Sequence, residues 1–191
     1  MTDIFENDKK FKESIGAFII AFSRLEYGLA FLSVLTEFDL RKRDENLLTH
    51  IGCSFENKVR NITDYIDNFA QELKPIWDIQ KNKIGQLNRE RRFIAHGFMS
   101  YSLPHESIST YVREKKKLVN RKFDIETIRK LTNELHHLNT GENGINGEFR
   151  IEFTKQRINQ WNKLVNDDNK IVYTVNGEIL SDWKRKIKAS P

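Results

Sequence analysis

The stretch from Ile15 to Leu35 constrains this chain more than any other part of it. Phe11, Ile15, Phe18, Ile19, Phe22, Leu25, Leu29, Leu32 and Leu35 recur three and four apart, which marks one face of a helix. A helix over 9–37 would span roughly 40 Å at the usual rise, the height of a helical bundle. A helix of that length also reaches across a bilayer, but Arg24 and Glu26 stand at its centre, where charge is most costly in lipid. The prediction is a core helix, which must be covered by others. The opening MTDIFENDKKFKE lacks the positive and apolar regions of a signal peptide. A single cysteine, Cys53, forms neither an internal disulfide nor a Cys-rich zinc site, and suits a reducing compartment. The expectation is a cytoplasmic protein with no membrane partner.

Further helical periods follow. Phe55, Val59, Ile62, Ile66 and Phe69 predict a helix over 54–69 with Ser54 as N-cap. Ile76, Trp77, Ile84, Leu87 and Ile94 predict one over 73–95, with Pro75 in its first turn and Gly97 at its end. Another begins at Asp124 with Thr127 three residues on, and runs through Ile125, Ile128, Leu131, Leu135 and Leu138. The charged stretch 39–46 reads as a connector. Residues 98–123 read as short extended strands around Pro104, with Glu114 to Lys117 at a solvated loop tip. Gly141, Gly144 and Gly147 read as a flexible linker, then a short helix over 155–165. The run IVYTV, Asn176-Gly177, EIL is a hairpin signal. With 191 residues there is ample material for one core. The predicted fold is mostly all-α: a four-helix domain over 1–140, and an extension over 141–191 whose linker, short helix and β-hairpin pack on the bundle.

The net charge of +5 is uneven. Residues 1–100 carry 15 basic and 15 acidic side chains, and residues 101–191 carry 17 and 12. Such a surplus is compatible with nucleic acid and with an ordinary soluble surface alike. Among patterns that carry chemistry, the chain has no phosphate-binding glycine loop, no nucleophile elbow and no metal-ligand spacing. No cofactor and no metal is expected. His136 and His137 face about 100° apart on a helix and cannot share a metal there. His50 and His105 fall in predicted loops. Cys53, just before an N-cap, reads as an inert thiol or an activated one.

One segment differs. Asn88-Arg89-Glu90-Arg91-Arg92-Phe93-Ile94-Ala95-His96-Gly97 gathers three arginines and a histidine at a helix C-terminus. Histidine suits proton transfer near neutral pH, and arginine suits a phosphate or a developing phosphorane charge. Cleaving RNA without metal needs both: a base for the 2′-hydroxyl and a cation for the transition state. Cations near a helix C-terminus also interact favourably with its dipole and free carbonyls, which is the structural alternative.

The segment RRFIAHG over 91–97 resembles the R-x4-6-H motif of the HEPN superfamily, often written RNxxAHG. Arg91 and His96 give the R-x4-H spacing, Arg89 gives R-x6-H, and Ala95 and Gly97 match the common flanks. The helix order is also similar: a long first helix carrying Arg24-Leu25-Glu26, a second with Phe55 and Lys58, then the motif helix, and a fourth from Asp124. The resemblance covers about residues 9–138. It implies a HEPN-like up-and-down four-helix bundle, a homodimer, and a metal-independent endoribonuclease of toxin–antitoxin, abortive-infection or antiviral defence type. RNA would be its substrate, and an antitoxin or another defence-system protein its partner. It further implies His96 as general base or acid and Arg91 as phosphate clamp, with the motifs of two protomers meeting across a cleft. Arg92 departs from the usual asparagine at that place. A catalytically inactive module that binds RNA, a nucleotide or a protein shares the same scaffold.

Helical geometry orders the auxiliary residues. Positions five apart differ by about 140°, four apart by 40° and seven apart by 20°, so Arg92 and Arg89 share the His96 face more closely than Arg91 does. Arg91 stands first on the motif and Arg92 on geometry, with Arg89 and Asn88 beside them. Glu26 in the most apolar helix needs a partner if buried; the expectation is a motif arginine, the alternative an exposed edge. Tyr27 and Tyr101 are candidates for base stacking or for ordinary packing. The tail's Trp183-Lys184-Arg185-Lys186 reads as bundle cover in preference to an RNA surface.

Overall fold

A computed structural model describes residues 2–37, 43–102, 107–164, 174–175 and 178–179. Helix α1 (Thr2–Leu35) leads, followed by α2 (Arg43–Gly52), α3 (Phe55–Phe69), a single 3₁₀ turn (Gln71–Leu73) and α4 (Lys74–His96). Strands β1 (Phe98–Ser102), β2 (Ser107–Glu114) and β3 (Lys117–Asp124) come next, then α5 (Ile125–Thr140), α6 (Glu148–Leu164) and the short strands β4 (Thr174–Val175) and β5 (Glu178–Ile179). Two compact units divide the chain, Met1–Ile151 and Glu152–Pro191. Among the described residues the architecture is mostly helical, with a three-stranded antiparallel sheet and a two-stranded hairpin.

Helix α1 forms the centre of the first unit and packs against α2, α3, α4 and α5. Phe18, Leu25, Leu29 and Leu32 are completely buried and Phe11, Phe22 and Leu35 nearly so, while Ile15 and Ile19 are half-buried. Each fully buried Leu or Phe contributes about 1.5–3 kcal/mol relative to exposure. The expected caps form. Ser54 accepts a hydrogen bond from the Asn57 backbone N–H at 3.2 Å, and Asp124 accepts one from Thr127 at 2.6 Å.

Three segments differ from expectation. The stretch read as a connector contains α2, whose buried residue is polar: His50 is 5% exposed, whereas Leu48 and Ile51 are exposed. A helix anchored through a histidine shows no apolar stripe to read. The His50 Nε2–H donates to Glu37 Oε1 at 3.0 Å, and Nδ1 lies 2.7 Å from the buried Ser33 hydroxyl. Asn61 donates to that same Ser33 oxygen at 3.0 Å. A carboxylate only accepts, so Nε2 carries a proton, while Nδ1 and the Ser33 hydroxyl share the second hydrogen bond.

Strands β1, β2 and β3 form a three-stranded antiparallel sheet in that order. Ile108 pairs with Phe123, and both are buried. The β2–β3 register, Glu114 opposite Lys117, leaves a two-residue turn in which Lys115 and Lys116 take φ of 42° and 73°. That is the left-handed pair a type I′ turn requires. The expected loop tip is therefore a tight hairpin turn.

The segment expected to be a flexible linker is held in place. Ile145 is fully buried, and its N–H donates to Leu138 O at 2.9 Å. Asn139 and Asn146 donate to the Ala21 and Arg24 carbonyls of α1, both at 3.1 Å. Asn146 lies so near Gly28 that a Cβ there would meet its Oδ1 at 2.4 Å. In the second unit, β4 and β5 pair antiparallel on either side of Asn176 and Gly177 in sequence. Helix α6 begins at Glu148, seven residues before the expected start.

Candidate functional site

Helix α4 carries Arg89, Arg91, Arg92 and His96, and its ends explain how. Pro75 sits in the first turn, where a missing N–H costs nothing. The helix stops at His96, with Gly97 in an extended conformation and its N–H bonded to Phe93 O at 3.1 Å. A Cβ at Gly97 would lie 2.4 Å from that carbonyl oxygen. The chain can therefore turn directly from His96 into β1.

The sheet fixes this end of the helix. Glu90 pairs with Arg121 of β3, and the Arg121 guanidinium lies over the Phe93 ring at 5.1 Å. Arg92 pairs with Glu114 of β2 at 3.5 Å. Both pairs remain partly in water, Glu90 the least, and are worth little alone, but they tie two strands to a single turn of α4.

The three arginines diverge. Arg91 turns inward: its guanidinium lies 4.9 Å from the centre of the buried Phe22 ring, and its Nη2 stands 3.7 Å from Glu26 Oε2. Both Arg91 and Glu26 keep somewhat more than a quarter of their side-chain surface exposed. Arg92 points towards the sheet. Arg89 is exposed at the rim of a groove between α3 and α4 lined by Phe55, Val59, Ile84 and Asn88. Asn88 itself lies 3.5 Å from Glu56 Oε1, the outer limit of a hydrogen bond. His96 is exposed and makes no side-chain hydrogen bond or ion pair with the described residues. Arg89, Arg92 and His96, spaced three and four apart, thus form one solvent-facing stripe, while Arg91 faces α1.

Glu26 has a second cationic partner. Lys58 of α3 is 1% exposed, and its Nζ donates to Glu26 Oε1 at 3.1 Å and to Ile51 O at 3.1 Å. Lys58, Glu26 and Arg91 together carry two positive charges and one negative. The role of Lys58 was missed by sequence reasoning, although a signal existed. Lys58 stands three after Phe55 and four before Ile62, on the buried face of its own helix.

The other candidates lie elsewhere. His136 and His137 are exposed on α5, Cys53 is half-buried, and Tyr27 is exposed. His105, the Tyr101 side chain and Trp183 to Lys186 lie outside the described residues. No three His, Cys, Asp or Glu side chains are placed to hold a metal ion among the described residues. Compared with known proteins, the chain matches no family model, no curated protein and no solved structure.

Proposed function

We propose that this chain is a HEPN-like, metal-independent endoribonuclease of defence or toxin type. The observation that carries the reading is a division of labour on α4. Its exposed last residue, His96, keeps both ring nitrogens free of partners among the described residues. Arg91 keeps a partly exposed guanidinium whose charge Glu26 answers while also pairing with Lys58. An anion completes that +2/−1 cluster.

In the reaction, His96 removes the proton from a 2′-hydroxyl, and the 2′-oxygen attacks the adjacent phosphorus. The P–O5′ bond breaks and the 5′-oxygen takes a proton, leaving a 2′,3′-cyclic phosphate and a 5′-hydroxyl. Arg91 holds the non-bridging oxygens as their charge grows, and Arg92 and Arg89 contact neighbouring phosphates. On one helix Arg91 and His96 lie about 140° apart, so the full site takes His96 of one copy and Arg91 of another. Phe98, 83% exposed two residues from His96, supports a homodimer contact there. An antitoxin or another defence protein would act by covering this surface.

A second reading follows from the inward turn of Arg91: the same surface binds RNA without cutting it. RNA incubated in EDTA with wild type, His96→Ala, Arg91→Ala and His136→Ala decides between them. Cleavage to cyclic-phosphate ends by wild type and His136→Ala alone is the expected result. Binding without cleavage would establish the silent module. Cleavage by all four would place the activity outside this site.

A further inference from the structure

We infer that Lys58 is a positioning residue for Arg91, acting through the shared carboxylate of Glu26; this rests on reading Arg91 as a phosphate contact. A lysine at a fully buried helix position is costly unless paired, and an apolar side chain of the same length is the ordinary occupant. Lys58 satisfies two of its three donors, on Glu26 Oε1 and on Ile51 O, a carbonyl in the last turn of α2. The cluster so joins four helices: α1 through Glu26, α2 through Ile51, α3 through Lys58 and α4 through Arg91.

The two oxygens of Glu26 are not equally engaged. Oε1 takes a direct hydrogen bond from Lys58 at 3.1 Å, whereas Oε2 stands 3.7 Å from Arg91 Nη2. Charge-assisted N–H···O bonds close to about 2.7–2.9 Å, and arginine's planar fork prefers both carboxylate oxygens at once. Lys58 holds one of those oxygens. Arg91 is therefore aligned by Glu26 and by the Phe22 ring, yet retains N–H groups for a substrate phosphate. Without the ammonium, Glu26 becomes free to take the guanidinium in a bidentate pair, which withdraws Arg91 from substrate.

The consequence is specific. Lys58→Met lowers kcat/KM for RNA about tenfold, the scale of one charge-assisted hydrogen bond, with kcat falling because Arg91 acts on the developing charge. Adding Glu26→Gln removes the captor, so the double variant returns to the kcat/KM of Glu26→Gln alone. A purely structural lysine would not be rescued in this way. Should Lys58→Met fail to fold, the comparison of the double variant with Glu26→Gln remains, since removing a buried pair together is tolerated better than removing one partner. A difference above threefold in kcat/KM between those two overturns the inference, as does an unchanged kcat/KM in folded Lys58→Met. Nitrogen-15 NMR of the Arg91 guanidinium supplies an arm that needs no activity. Its Nη protons exchange more slowly in Lys58→Met than in wild type; equal exchange overturns the inference. Wild type that cleaves no RNA sinks the nuclease reading, and the NMR arm still decides the role of Lys58.

Discussion

Gly97 and Thr110 approach so closely that a Cβ on the glycine would stand 3.1 Å from the threonine Cβ. This is where the motif helix gives way to the sheet, one residue after His96. Gly97→Ala must push β1 from β2 or unwind the last turn of α4. Overpacking of this kind costs typically 1–3 kcal/mol. The expected result is a lower Tm together with lost RNA cleavage, and a variant with wild-type Tm and activity would show that the approach is not rigid.

His96→Ala behaves differently from Gly97→Ala. The side chain is exposed and without partners among the described residues, so stability changes by no more than about 0.5 kcal/mol while cleavage is abolished. Arg91→Ala loses the contact with Phe22 as well as the phosphate clamp, and shows a small fall in Tm beside the loss of activity. Urea unfolding alongside the cleavage assay separates the two effects. A His96→Ala protein that unfolds much earlier would point to a structural histidine.

His50→Ala removes the side chain that joins Ser33 to Glu37. The Ser33 hydroxyl, fully buried, keeps Asn61 but loses its hydrogen bond to the ring, and a buried hydrogen bond of this kind is worth about 0.5–1.5 kcal/mol. The urea midpoint is expected to fall accordingly. An unchanged midpoint would mean that α2 docks by other contacts.

Asp124 caps α5, and the hydrogen bonds from Thr127 hold its carboxyl below the ordinary 3.8. A carboxylate depressed on folding contributes stability that is fully present above the unfolded value, and is lost as pH falls through the folded one. Asp124→Ala should cost about 0.5–2 kcal/mol at neutral pH, the usual worth of an N-cap. The gap between wild type and variant should close as the pH drops below 3.8. A gap that stays constant down to pH 2 would assign the loss to something other than the carboxylate.

Lys115 and Lys116 occupy the left-handed conformation that suits Asn-Gly. Replacing them by Asn and Gly is expected to stabilise the chain by about 0.5–1 kcal/mol, since the native turn no longer works against side-chain sterics. Thermal unfolding reads the change. A decrease would mean that the lysines make contacts that outweigh the backbone preference.

Much of this protein was legible without coordinates because the relevant physics is local. The three-and-four spacing from Phe11 to Leu35 predicted α1 and its buried face, since helical periodicity depends on neighbours within a turn. Ser54 and Asp124 announced two helix starts, and Pro75 and Gly97 bracketed α4, for the same reason. Arg91 and His96 were singled out by the clustering of cations at a helix end and by the resemblance of RRFIAHG to a known motif, and helical geometry already placed them on different faces. What only the tertiary structure decided is which charge meets which. Glu26 and Lys58 stand 32 residues apart, and no local pattern encodes that α1 and α3 would bring them together. Helix α2 escaped notice because its anchor is a histidine bonded to α1 and not an apolar stripe. The buried Lys58 could be placed on its helix from sequence, but its partners are set by helix packing, and that packing determines how firmly Arg91 is held.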